Sequence, residues 1–268
     1  ATQDTEEIIR TVKAIAPSFG AIQLEDISAP RCFTIERRLQ EDLTIPVMHD
    51  DQHGTAIVVL AGLMNASKVA EKNLPDLRVV ISGAGAAGIA IAELLIKQGI
   101  RDVTAVDRQG AIWKGRDGLN DEKKFFAGIS NPERRKGTLA EVVKGADVLI
   151  GVSGPGIVTR DMVASMAPRS IVFAMANPVP EILPEEAKDA GVFIMATGRS
   201  DYPNQVNNAL CYPGLFRGML DRGIKQVTDE IKLRAAEAIA STIKEPNPEC
   251  IVPSIFDPGL AKRVAESV

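Results

Sequence analysis

Six residues, Gly83-Ala84-Gly85-Ala86-Ala87-Gly88, constrain this chain more than any other feature, because of what stands on either side of them. Leu77-Arg78-Val79-Val80-Ile81-Ser82 has the β-branched enrichment of a buried strand, and Ile89-Ala90-Ile91-Ala92-Glu93-Leu94-Leu95 reads as an apolar helix. Asp102-Val103-Thr104-Ala105-Val106-Asp107 is a second strand, so the stretch predicts a βαβ unit. Three glycines at this spacing arise often by chance; between a strand and a helix they acquire a mechanism. Gly83 permits the tight turn, Gly85 lets the main chain approach a pyrophosphate, and Gly88 permits close helix packing. The free N–H groups and dipole of the helix N-terminus then attract the phosphates. The alternative is a strand-to-helix turn that binds nothing, and the acid at the end of the next strand argues against it. Asp107 accepting hydrogen bonds from the adenosine ribose favours NAD, whereas Arg108 beside it can pair with a 2′-phosphate and favours NADP; both stay open, as does a plain turn-capping role for Asp107.

The alternation extends both ways. Ile8, Ile9, Val12 and Ile15 recur at helical spacing until Pro17. Ala21-Ile22-Gln23-Leu24 and Ile45-Pro46-Val47-Met48 read as short strands around a helix over 31–43. An apolar helix is expected from Thr55 to about Ala70, opened by His53-Gly54-Thr55, and strands are expected over 148–152, 171–175 and 192–195. After Pro213 the pattern turns helical, over 214–221 and 228–244. Such alternation predicts an α/β fold with a doubly wound, parallel, Rossmann-type sheet. A net charge of -4 supplies no attraction to a polyanion, which argues against nucleic acid as a partner. The longest apolar stretch, Thr55 to Met64, falls short of the roughly 20 residues that span a bilayer, so no membrane partner is expected. The acidic N-terminus has no apolar stretch of the secretory kind. Cys32, Cys211 and Cys250 have no metal-type spacing and cannot all pair, which fits a reducing, cytoplasmic compartment.

Two acid pairs end apolar runs: Glu25-Asp26 after Leu24, and Asp50-Asp51 after Met48-His49. Doubly wound sheets bind ligands outside strand C-termini, the position these pairs occupy. If they converge, their repulsion requires a cation or a nearby Lys or Arg, and all-oxygen ligation suits Mg2+ or Mn2+ rather than zinc. Spacing leaves an equal alternative, in which Asp26 and Asp51 cap the helices that follow. His49 and His53, the only histidines, stand at i and i+4 without a third ligand type, which disfavours zinc. Asn177-Pro178 and Asn207-Asn208 place amides on loops, where they can orient a carboxylate or a nicotinamide amide without adding charge; Asn-Pro is also an ordinary turn dipeptide.

Taken together these residues resemble the malic enzymes in their short bacterial or archaeal form, with malolactic enzymes as close relatives. The resemblance is carried by Leu24-Glu25-Asp26-Ile27, by Pro46-Val47-Met48-His49-Asp50-Asp51-Gln52-His53-Gly54-Thr55 and by the glycine loop. Ala176-Asn177-Pro178-Val179-Pro180-Glu181 and the run from Gly198 to Asn208 complete it, so that it covers nearly the whole chain. It implies NAD or NADP and Mg2+ or Mn2+ as cofactors, with L-malate, oxaloacetate and pyruvate as small-molecule partners. The implied reaction is hydride transfer from malate, decarboxylation of bound oxaloacetate to enolpyruvate, and protonation to pyruvate. It implies Glu25, Asp26 and Asp51 as metal ligands and Asp50 as the carboxylate that orients and charges a catalytic lysine. Asn177 and Asn208 are implied as contacts to substrate and nicotinamide, with Asn207 beside them. The family's base lysine and acid tyrosine lie upstream of where this sequence begins, and neither motif occurs in it. The expectation is therefore an incomplete second catalytic domain: a partial catalytic domain over 1–49, an NAD(P)-binding domain over 50–207, and a C-terminal helical segment over 208–268 returning to the first. A homodimer or higher homo-oligomer is expected of the full-length form. Competing readings are an NAD(P)-binding module without turnover and a malolactic enzyme converting malate to lactate.

Overall fold

The computed structural model describes residues 2–268. Helices α1 (Thr5–Ile15) and α2 (Arg31–Asp42) accompany β1 (Ile22–Leu24) and β2 (Val47–His49), two short parallel strands. The apolar periodicity of α1 and α2 buries Ile9, Ile35 and Leu39 against Ile22, Leu24 and Val47 in a small core of their own. Asp4 caps α1 by accepting the Glu7 N–H.

α3 (Asp50–Val69) follows β2 without a loop and is buried at every position from Gly54 to Ser67. A helix apolar all round belongs in an interior, and α3 is the central pillar of the molecule. Its one interior amide, Asn65, donates to the carbonyls of Ala240 and Ile251.

Beyond α3 come β3 (Arg78–Ser82), α4 (Ala86–Lys97), β4 (Asp102–Asp107), β5 (Gly110–Ala111), α5 (Asp121–Ile129) and α6 (Leu139–Val142). They are followed by β6 (Val148–Gly151), α7 (Arg160–Ala164), β7 (Ile171–Ala174), α8 (Pro184–Asp189) and β8 (Ile194–Thr197). The six strands form one sheet in the order β5-β4-β3-β6-β7-β8, parallel throughout except for the short β4–β5 edge pair. The chain winds outward from β3 to β4 on one side and from β6 to β8 on the other, so the topological switch lies between β3 and β6, where such sheets bind ligands. Strand side chains alternate between two cores. Val79, Ile81, Val103, Ile150 and Phe173 face α3 and α4, while Val80, Val106, Leu149 and Val172 face the side covered by α6, α7 and α8.

The chain returns through α9 (Tyr212–Arg222), α10 (Asp229–Ala240) and α11 (Leu260–Ser267). α9 and α11 pack backbone to backbone: a Cβ at Gly214 would lie 2.6 Å from the Ala261 carbonyl oxygen, and one at Gly218 would lie 2.5 Å from that of Ala265. No described helix is long and apolar enough to cross a membrane.

Several sequence expectations need correction. α3 opens at Asp50, not at Thr55, so His53 and Gly54 are interior to it. The cause is tertiary: Glu36 on α2 accepts the His49 N–H at 2.8 Å and the Gln52 amide at 3.1 Å, and the acids of the first turn complement the helix dipole. Asp51 therefore lies inside the first turn and does not cap it, and Asp26, with φ 58°, precedes no helix until Arg31. β8 starts two residues later than the apolar run suggests, and β5 and α11 carry too few apolar residues to stand out.

Glu36 is buried, yet hydrogen bonds from His53 and the His49 main chain outweigh the upward push of burial and hold its carboxyl below the usual value. Glu36→Ala leaves donors on His49, Gln52 and His53 without their acceptor, while Gln40 keeps the Val47 carbonyl. The expected cost is about 3 kcal/mol, read as a lower urea midpoint at unchanged m-value. An unchanged midpoint would show that other contacts hold the β2–α3 junction.

Candidate functional site

A cavity of about 730 Å3 opens where the C-terminal ends of β1, β2, β6, β7 and β8 meet the start of α9. Glu25, Asp50 and Asp51 form one wall, Ser153, Gly154, Ala176 and Asn177 another, and Asn207, Asn208 and Tyr212 a third. No Lys or Arg is among its described lining residues.

Asp50 is the best-defined acid. Its Oδ2 accepts the Asn208 amide at 2.8 Å, and the carbonyl oxygen of the same Asn208 accepts the Thr55 hydroxyl at 3.0 Å, so the amide can point only one way. Asp50 Oδ1 is buried without a hydrogen-bond partner. A side chain at Gly54 would overlap that oxygen, so glycine one turn along α3 leaves the carboxylate its space. Burial pushes Asp50 up, the Asn208 bond pulls it down, and the charges of Glu25 and Asp51 push it up again, to about 6.

Of the sequence-predicted metal ligands, Glu25 and Asp51 line the cavity and Asp26 does not. Asp26 is joined to them through its main chain, whose N–H donates to Asp51 Oδ2 at 2.9 Å, while Glu25 accepts the Gln23 amide at 2.9 Å. Among the described residues no three His, Cys, Asp or Glu side chains are grouped so as to hold a metal ion. The acids thus converge without forming a ready-made shell. The histidines do not make a zinc pair: His49 is the fully buried N-cap of α3, and His53 hydrogen-bonds Glu36.

The glycine loop sits at the switch point with Gly85 as N-cap of α4. Gly83, at φ 114°, would bring a Cβ within 2.5 Å of the Val152 carbonyl oxygen, and a Cβ at Gly88 would collide with the Gly83 carbonyl. These two are fixed by the protein's own packing. Gly85 meets nothing within 4 Å, so the open space at the loop lies beside it. Ala87 lines the main cavity; Gly83, Ala84, Gly85, Ala86 and Gly88 stand outside its lining.

Asp107 ends β4 as expected, but its carboxylate is already engaged. Arg116 grips it through two N–H groups at 2.9 and 2.6 Å, Lys123 donates at 2.6 Å and the Gln109 N–H at 3.0 Å. Burial pushes Asp107 up, and these donors together outweigh it and hold the carboxyl at about 2. Arg108, the sequence candidate for pairing with a 2′-phosphate, is exposed; Arg116 and Lys123, which sequence reasoning missed, are the cations that reach the Asp107 carboxylate. Their approach depends on the loop after β5, which leaves no periodic signal. Asn177 lines the cavity at the end of β7, and Asn207 lines it while its side chain accepts the Ala209 N–H.

The pattern of the malic enzyme NAD binding domain matches residues 52–268, and that of the malic enzyme N-terminal domain matches residues 1–40. The chain belongs to the malic enzyme family. It is 55% identical to an NAD-dependent malic enzyme of Geobacillus stearothermophilus, covering 100% of this chain and 56% of that protein. It is 51% identical to a bifunctional malic/malolactic enzyme of Bacillus subtilis, covering 100% of this chain and 66% of that protein. The crystal structure of an NAD-dependent malic enzyme from Thermotoga maritima superposes with a TM-score of 0.96 at 46% identity, over 100% of this chain and 71% of that one. The chain thus spans between about half and two thirds of the length of these two curated relatives.

Two outcomes follow from the dinucleotide corner. Gly85→Val has room in the fold but fills the open space beside the loop, so NAD(P) titration should show weakened binding with an unchanged melting temperature; equal affinity would remove the loop from the cofactor site. Asp107→Asn tests the Arg116 and Lys123 clamp. The folded carboxyl, at about 2, lies below its unfolded value of about 3.9. Its contribution to stability is complete above the unfolded value and is lost as pH falls through about 2. Urea unfolding should find the wild-type advantage over Asp107→Asn shrinking from about pH 4 to about pH 2, and a constant difference would show that the clamp carries no net charge stabilisation.

Proposed function

We propose that this chain carries the substrate, metal and dinucleotide residues of a decarboxylating malate dehydrogenase, which oxidises L-malate with NAD+ or NADP+ and yields pyruvate and CO2. One observation supports this most: an uncompensated acidic wall of Glu25, Asp50 and Asp51 shares a cavity with the strand ends of a dinucleotide crevice. The names of the relatives, NAD-dependent malic enzyme and bifunctional malic/malolactic enzyme, agree with it. Residues 1–49 and 208–268 supply part of the substrate side, joined by Asp50, Asp51, Asn177 and Asn207 from residues 50–207, which otherwise form the dinucleotide side.

The donor chemistry fits a hard divalent cation: oxygen ligands, a buried carboxylate oxygen on Asp50 without a partner, and negative charge that no lining cation balances. Glu25, Asp26 and Asp51 would hold Mg2+ or Mn2+, which when bound polarises the substrate's 2-oxygen as a Lewis acid. Asn208, locked between Thr55 and Asp50, and Asn177, at the end of β7, present amides that orient a carboxylate or the nicotinamide amide. Asn207 extends the same wall. Asp50 holds or passes a proton at Oδ1, the oxygen that Asn208 leaves free. Two of the three free cysteines are buried, in keeping with packing roles in a reducing, cytoplasmic compartment.

The test is an assay of both half-reactions. Oxaloacetate with Mn2+ should give pyruvate, and Asp51→Ala should abolish Mn2+ binding by calorimetry while the circular dichroism stays unchanged. Equal Mn2+ affinity in that variant would exclude the metal assignment. Malate-dependent NAD(P)H formation should be much slower than in enzymes with a lysine base in the cavity, since general bases contribute about 100- to 10,000-fold; rapid formation would show that Asp50 suffices. Lactate as product would favour the malolactic reading, and dinucleotide binding with no product would reduce the chain to a binding module.

A further inference from the structure

Glu181 is completely buried, and among the described residues no Lys, Arg or His shares a hydrogen bond with it. A buried carboxylate without a cation is costly unless donors engage both oxygens. Here the donors are main chain. The Ser153 N–H reaches Oε1 at 2.8 Å and the Ala176 N–H reaches Oε2 at 3.0 Å. Ser153 lies just beyond the end of β6 and Ala176 just beyond the end of β7, and both line the cavity. The Ser153 hydroxyl, 3.5 Å from Oε1, continues to the Ser82 hydroxyl at 3.0 Å, the last residue of β3 before the glycine loop. The Val158 N–H also donates to the Glu181 carbonyl at 3.1 Å. β6 ends in glycine where the carboxylate lies against it: a Cβ at Gly151 would stand 2.5 Å from Glu181 Cδ. One side chain therefore ties together the ends of β6 and β7, and the Ser153 hydroxyl carries the connection across the switch point to β3.

We infer that Glu181 is a positioning residue for dinucleotide binding, whose carboxylate fixes the loops after β6 and β7 so that Ser153, Gly154 and Asn177 present a preformed wall to the cavity. The inference rests on the dinucleotide reading of this site. Charge matters here as well as shape. A carboxylate accepts both N–H groups, whereas an amide of equal size accepts one and turns a donor toward the other.

The test is calorimetric titration of wild-type protein and Glu181→Gln with whichever of NAD+ and NADP+ the wild type binds, and with ADP, which reaches only the glycine-loop half. Glu181→Gln should weaken the dinucleotide about tenfold or more and ADP by no more than about twofold. The amides of Ser153 and Ala176 should exchange hydrogen faster while those of β3 keep their protection. Ser82→Ala removes only the far hydroxyl of the chain and should weaken the dinucleotide about two- to fivefold. A lower melting temperature with unchanged dinucleotide affinity, or equal losses for dinucleotide and ADP, would overturn the positioning role. Should Glu181→Gln not fold, Gly151→Ala, whose methyl displaces the same carboxylate, must reproduce the selective loss, and full affinity there would overturn the inference. A wild type that binds neither NAD+ nor NADP+ would instead overturn the dinucleotide reading, and this inference with it.

Discussion

A helix that is apolar on every side has to be enclosed, and the enclosure of α3 organises this molecule. The sheet covers it through Phe173, which a Cβ at Gly62 would approach to 3.0 Å, while α4 and α10 pack along its flanks. Burial of the body of the helix brings its first turn with it, and that turn carries Asp50 and Asp51. Asp50 thus reaches a buried position because the apolar residues behind it are more favourably buried there. Stabilisation of about 25 cal/mol per Å2 of apolar surface, summed along a helix of this length, outweighs the penalty of one partly desolvated carboxyl. Fold and site are coupled at that point: the interaction that holds the core also raises the Asp50 pKa.

Three other buried or half-buried carboxylates show what balance looks like. Glu36 is surrounded by amides and His53, Asp107 by Arg116 and Lys123, and Glu181 by main-chain N–H groups. Each has its oxygens engaged by donors. Asp50 alone among them keeps a buried oxygen without a partner, and it does so beside two more acids. That oxygen is the one carboxylate oxygen among the described buried side-chain atoms without a partner, which also include both His49 ring nitrogens, Thr104 Oγ1 and the Tyr212 hydroxyl.

Legibility in the sequence followed the range of the interaction. The glycine loop was readable because part of its requirement is local: Gly88 meets Gly83 itself, although Gly83 also meets Val152 after β6. The parallel sheet was readable because strands buried on both faces are written as continuous apolar runs. Family resemblance assigned roles to acids and amides that spacing left divided between ligation, capping and turns. The start of α3 was misread because the partner that fixes it, Glu36, lies 13 residues before His49, in the middle of α2. Arg116 and Lys123 escaped notice for the same reason, and Glu181 was visible only as part of a motif, with nothing to show that its carboxylate bridges two loops.

Gly214 and Gly218 let α9 lie against α11 with almost no side chain between them. The N-terminal end of α9 supplies Tyr212 and Pro213 to the cavity wall. The final helix of the chain is therefore the backing plate of that wall, although none of its residues lines the cavity. Close-packed interiors transmit displacement instead of absorbing it. The width of the cavity at Tyr212 consequently depends on how tightly the eight-residue α11 seats, which makes that helix part of the dimensions of the site without making it part of the chemistry.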